Sequence, residues 1–179
     1  MAISNKTYNN AINTLKNIGD NHEQIKTTTT GDIWEINLDK NELFPVMHIN
    51  PVNVTTGQSE LNYNFQIFVM DLVTEDSGWT TTNIQSSSQL SNSQEVLSDT
   101  LQICTDIIGM LRHGVEQSLT TVNDIDYPIY FMDGEMTLEP FQERFDNLVT
   151  GFVFNITLVT MNDFQSCNLP VTSQRGRGE

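Results

Sequence analysis

The stretch Asn92-Ser-Gln-Glu-Val-Leu-Ser-Asp-Thr-Leu-Gln-Ile-Cys-Thr-Asp-Ile-Ile-Gly-Met-Leu-Arg-His-Gly114 decides the fold, because it reads as one long helix in a chain otherwise rich in alternating, strand-like patterns. Leu97, Leu101, Cys104, Ile108, Leu111 and Val115 recur at intervals of four, three, four, three and four, which lays a continuous apolar stripe along a helix. Val96, Ile103, Ile107 and Met110 form a second stripe beside it. Together they make an apolar face wider than one sheet usually covers. The first stripe is expected to pack on a sheet, and the second points to assembly with another subunit. Asn92 and Glu95 have the spacing of a capping box. Arg112, His113 and Gly114 suit the other end, where cations meet the negative pole of the dipole and glycine accepts a left-handed exit.

Outward from this helix, the chain alternates. Leu61, Tyr63, Phe65, Ile67 and Val69 interleave with Asn62, Asn64 and Gln66, and Phe68, Met70 and Leu72 make the second half of 61–73 apolar on both faces. Gly151 to Thr160 alternates again, with Phe152, Phe154, Ile156 and Leu158 on one face and Val153, Asn155, Thr157 and Val159 on the other. A short amphipathic helix is expected from Ser4 to Ile18, ended by Gly19-Asp20-Asn21. Ile25–Thr30 turning at Gly31-Asp32 into Ile33–Leu38 reads as a hairpin in which Trp34, Ile36 and Leu38 share a face. Phe44 to Val54 carries Pro45 and Pro51 and is therefore placed at a sheet edge. Ile125 to Leu138 reads as a strand or hairpin turning at Asp133-Gly134. These elements predict an α+β domain: a mixed, mainly antiparallel sheet with one long helix and a short N-terminal helix packed on it. It spans 1–170 as a single domain, with a long polar loop over 74–91 and a small basic tail over 171–179 that contains Arg175 and Arg177.

The 179 residues suffice for one sizeable core. A formal net charge of -15 disfavours free binding to nucleic acid through phosphate neutralisation. Yet only 17% of residues are charged, below the roughly 25% of average proteins. Asn, Thr, Ser and Gln supply the polarity instead, which suits large contact surfaces with few salt bridges. Cys104 and Cys167 do not make a disulfide framework, and Cys104 lies on the apolar helix as a small hydrophobe. No leader-like segment or run of about 18 apolar residues occurs, so folding in a cytoplasm without membrane insertion is expected. The Asn-x-Thr triplets at Asn5, Asn53 and Asn155 are then chance matches.

Chemistry is nearly absent from the pattern. His22, His48 and His113 sit on different elements without ligand spacing, so no metal is expected. No phosphate loop, nucleophile elbow or dinucleotide fingerprint occurs, and neither a catalytic residue nor a cofactor is expected. Asp124, Asp126, Asp133 and Glu135 read as a solvated acidic group, with an acid-base pair at Asp133 and Glu135 as the alternative. Trp34 reads as core, whereas Trp79, set in a polar loop, reads as an interface residue.

Gly-Asp-Ile-Trp-Glu-Ile at 31–36, Leu-Phe-Pro-Val-Met-His-Ile at 43–49, the strand ending in Met70-Asp71, the long helix, and Glu139-Pro140-Phe141 through Arg144-Phe145-Asp146 to Cys167-Asn168-Leu169-Pro170 follow one another in an order that resembles a known group. These are small virion proteins of tailed bacteriophages: neck and tail-completion proteins similar to tail terminators, including ring proteins of crAss-like phages. The resemblance covers 31–170 and implies a homo-oligomeric ring, hexameric or dodecameric, between head connector or portal and tail. DNA would pass through its lumen without specific binding, past acids that repel the phosphate backbone. The location implied is the virion neck or tail, with assembly in the host cytoplasm. Interface residues expected on this reading are Trp79, Thr80 and Ile84 in the long loop and Val54 and Gln58 in the 52–60 hairpin region, with Ile103 and Ile107 on the second helical stripe. A tail-tube or stopper component and a soluble accessory protein that binds a host factor are the alternatives.

Overall fold

A computed structural model describes residues 7–32, 43–73, 92–113, 119–122, 125–128, 130–132, 134–144 and 148–161. The elements in order are α1 (Thr7–Asn21), β1 (Thr27–Thr30), β2 (Val46–Thr56), β3 (Glu60–Leu72), α2 (Ser93–His113), β4 (Leu119–Val122), β5 (Ile125–Pro128), β6 (Phe131–Met132), β7 (Leu138–Arg144) and β8 (Leu148–Met161). The fold is α+β: a six-stranded sheet in the order β1-β2-β3-β8-β6, with β7 also on β8 and every pair antiparallel except β1 with β2. The strands β4 and β5 form a separate two-stranded ribbon.

Alternation does what it should in β3 and β8. Tyr63, Phe65, Ile67 and Val69 from one strand and Phe154, Ile156 and Leu158 from the other face the helices and are buried. Ala11, Leu15 and Ile18 of α1 and Ile103, Cys104 and Ile107 of α2 close the same core. On the opposite face Val46, Phe68, Met70 and Val149 make a smaller cluster, joined by Phe44, Phe141 and Val153. The apolar second half of β3 thus feeds both layers. Because β3 and β7 both run antiparallel to β8, they are parallel to each other, and the chain between them crosses the sheet through α2.

Four expectations are corrected. On α2 the stripe against the sheet is Val96, Thr100, Ile103, Cys104 and Ile107, all buried, whereas Leu101 of the first stripe is 39% exposed. Cys104, Ile108 and Leu111 of the first stripe do pack on the core, but the face against the sheet is turned toward the second stripe and takes in Thr100. Its hydroxyl donates to the Val96 carbonyl at 2.7 Å, so no polar atom is stranded. Second, α1 continues through Gly19 to Asn21. A Cβ on Gly19 would lie 2.5 Å from Thr28 Oγ1 and 2.9 Å from Met47 Sδ, so glycine there permits helix and sheet to approach, and it does not end the helix. Third, β1 pairs in parallel with Val46–Ile49 of β2, which makes that half of β2 an interior strand in spite of its prolines. Pro45 precedes the strand, and Pro51 falls beyond the reach of β1, beside a register shift between Pro51 and Asn53. The expected hairpin partner at 33–38, with Trp34, lies outside the described residues.

Fourth, 125–138 is not one hairpin. Its first part pairs with β4, and the rest lies along the edge of β8 as two segments, Met132 opposite Leu158 and Leu138 opposite Phe154. Six steps on one side face four on the other, so two extra residues bulge out. Gly134, at φ 85°, takes the left-handed conformation there. Arg112 at the end of α2 donates to the Gly134 carbonyl at 3.4 Å.

Candidate interaction surface

The sheet face turned away from the helices carries the smaller apolar cluster at one end and polar residues beyond it. Register lines up its residues in rows across β2, β3 and β8. Val46, Met70 and Gly151 form the first row, and His48, Phe68 and Val153 the second. Asn50, Gln66 and Asn155 follow, then Asn53, Asn64 and Thr157, and finally Thr55, Asn62 and Val159. The face therefore grades from apolar to neutral polar without a formal charge in any of these rows.

The polar rows are internally bonded. Thr157 Oγ1 donates to Asn64 Oδ1 at 2.6 Å, and Asn64 Nδ2 donates to Asn53 Oδ1 at 2.6 Å, a chain across three strands. Asn50 Nδ2 donates to Gln66 Oε1 at 3.5 Å. Such chains pair the amides with one another without a formal charge. Asn62 Oδ1 is the exception: it is buried and has no hydrogen-bond partner. A buried acceptor left alone costs about 1–3 kcal/mol.

Among the described residues, nothing pairs with the outer edge of β2 over half its length. β1 covers Val46–Ile49 only, and from Val52 through Glu60 every residue is exposed, Val52 by 54% and Val54 by 43%. The turn at 57–60 is closed by Gly57 N donating to the Glu60 carbonyl at 2.9 Å. Val54 and Gln58, both expected at an interface, lie on this exposed hairpin. Ile103 and Ile107, expected there too, are 1% and 0% exposed and belong to the core, so they are withdrawn as interface residues. Trp79, Thr80 and Ile84 lie outside the described residues.

The ionisable groups are mostly structural. His48 is buried, with Nε2 donating to the Gly31 carbonyl at 3.1 Å and Nδ1 accepting from Thr29 Oγ1 at 2.8 Å. A carbonyl can only accept, which sets this tautomer. Burial pulls its pKa below the ordinary histidine value, against the smaller opposing effects of the Gly31 bond and Asp32. Burial pushes the Cys104 thiol up to about 12, which leaves it inert as a nucleophile. Burial also raises the carboxyl of Asp71, although Leu72 N–H donates to it at 2.7 Å. Burial, with Tyr63 adding to it, lifts the Tyr130 hydroxyl to about 12. His22 Nε2 faces Asp106 Oδ2 at 3.8 Å between α1 and α2, its Nδ1 accepting from Gln24 N–H at 3.2 Å. That pair ties the residue just after α1 to α2. Of the expected acidic group, Glu135 is exposed, Asp124 and Asp133 lie outside the described residues, and β5 carries Asp126. Among the described residues no three His, Cys, Asp or Glu side chains converge as metal ligands, and no helix is long and apolar enough to cross a membrane.

Alternation in 61–66 and 153–159 places the amides on one face, but only cross-strand register shows which of them meet. Phe131, 49% exposed at the far edge beside Val159, carries no sequence signal that separates it from a core phenylalanine. Compared with protein-family models and with curated proteins, the chain finds no match in either set.

Proposed function

We propose that the protein is a structural subunit of a homo-oligomeric ring in the neck or tail of a tailed phage, joining head connector to tail around the DNA channel. The observation that carries this reading is the exposed edge of β2, which no described strand covers beyond Ile49. β1 stops at the level of Ile49, and the strand continues to Thr56 with two exposed valines and no charged side chain in 50–59. An exposed edge of this kind invites pairing with another chain unless something covers it. In a subunit of formal charge -15, copies repel over most of their surfaces, so a neutral strip is where they approach at least electrostatic cost. A head-to-tail contact of this type closes into a ring when its rotation permits. The acids that remain exposed would then repel the DNA backbone in the lumen, a mechanism that needs no catalytic residue.

Light scattering behind a sizing column, followed by negative-stain imaging, tests the reading on the protein alone and with purified portal or tail. Rings are expected, alone or on the platform, and Val52→Lys with Val54→Lys should abolish them. Both side chains are exposed in the subunit, so circular dichroism should show the variant folded. A protein that stays monomeric alone and ignores both platforms would overturn the ring reading in favour of a host-factor binder.

A further inference from the structure

At the far end of the sheet, Asn62 of β3, Val159 of β8 and Phe131 of β6 stand in one row. A hollow of about 440 Å³ opens over them, lined also by Glu60, Thr157 and Met132. Three features of this hollow are unexplained by the fold. Asn62 Oδ1 is buried there and accepts nothing, and the Thr157 hydroxyl that also lines the hollow is committed to Asn64. Glu60 is exposed and is paired with no described cation. Phe131 leaves half of its surface uncovered, 49%, beside the aliphatic floor of Val159.

Each feature asks for a different property in a ligand. The amide oxygen needs a hydrogen-bond donor, the carboxylate needs a cation, and the ring face favours a flat, weakly hydrated cation laid against it. A guanidinium combines all three, with several N–H groups in a planar fork that reaches two acceptors at once. An ammonium offers the charge but not the plane. The chain's charge of -15 draws such a group in.

We propose that this hollow is a docking site for an arginine side chain presented by a partner protein. The site is complete within one subunit, so it stands or falls separately from the ring: a monomer would present it equally.

The test uses the full chain with ¹³C-methyl labels on valine and methionine, whose signals stay observable in large assemblies. The probes are blocked Gly-Arg-Gly tripeptide and its lysine and citrulline counterparts. Saturable shifts confined to Val159 and Met132 are expected with the arginine peptide, at least about fivefold tighter than with lysine, and none with the neutral citrulline. Glu60→Gln and Asn62→Ala should each weaken the arginine peptide by about fivefold or more. Asn62→Ala should leave the urea midpoint unchanged or raised, since it removes an unsatisfied acceptor. Equal shifts from all three peptides, shifts dispersed over other methyls, or no saturation with millimolar arginine peptide would overturn the proposal. So would undiminished binding in both variants.

Discussion

Replacing Ile107 by alanine should destabilise the protein far more than replacing Leu101, although the two lie on one helix and lose the same number of carbons. Ile107 is 0% exposed and packs under the sheet with Ile103 and Cys104. Three buried carbons at about 0.8 kcal/mol each come to ~2.4 kcal/mol of lost transfer energy. A cavity that the close-packed sheet cannot fill adds to this, for a total of about 3–4 kcal/mol. Leu101 is 39% exposed, and the space it leaves opens to water, so its cost should be ~1 kcal/mol or less. In urea, with a slope of about 2 kcal/mol/M, the first change should lower the midpoint by ~1.5–2 M and the second by ~0.5 M. Both variants should be measured at one protein concentration, so that assembly shifts them equally. A Leu101→Ala midpoint at or below that of Ile107→Ala would mean that the helix presents its first stripe to the sheet and that this account of the core is wrong.

Two glycines should respond in opposite directions to alanine. At Gly151 a Cβ would collide with the backbone carbonyl of Val69, which cannot swing aside, so a loss of about 1–3 kcal/mol or more is expected in the same urea assay. At Gly109, inside α2, a Cβ meets nothing within 4 Å, and alanine should stabilise by about 0.5–1 kcal/mol. A stabilised Gly151→Ala would refute the close β3–β8 approach. Because burial holds the pKa of His48 below its ordinary 6.5, the native state binds fewer protons there than the unfolded chain. The contribution of His48 is therefore complete above 6.5 and is lost as pH falls below that value toward the depressed one. Stability measured from neutral to mildly acidic pH should fall less steeply in His48→Gln than in the wild type, and equal slopes would contradict the burial. Finally, with its pKa pushed up to about 12, Cys104 in a Cys167→Ser background should react with iodoacetamide about a thousandfold more slowly than a free thiol until urea unfolds the chain. Labelling at the free-thiol rate in the native state would place Cys104 outside the core.

Local pattern by itself determined a good deal of this protein. The alternation in 61–72 and 151–160 marks the two central strands, and the caps at Asn92 and Arg112 bound α2 to within about a residue, as caps generally allow. Those are properties of one segment, set by periods of 2.0 and 3.6 residues. Tertiary structure decided whatever required two segments to meet. An apolar arc that takes in both Leu101 and Ile107 does not fix a helix's rotation; the sheet surface beneath it does, together with a Thr100 hydroxyl able to bond its own backbone. The parallel placement of β1 beside β2, the two-residue bulge that splits β6 from β7, and the Thr157–Asn64–Asn53 chain are likewise consequences of register between strands distant in sequence. The docking features follow the same division. Neutral composition in 50–59 is visible residue by residue, but its exposure at an edge that no described strand covers is seen only in the folded sheet, where β1 reaches no further than Ile49. Nothing about Asn62, Glu60 or Phe131 singles them out along the chain, since a hollow is made by the strands that happen to adjoin, and adjacency is a property of the folded sheet.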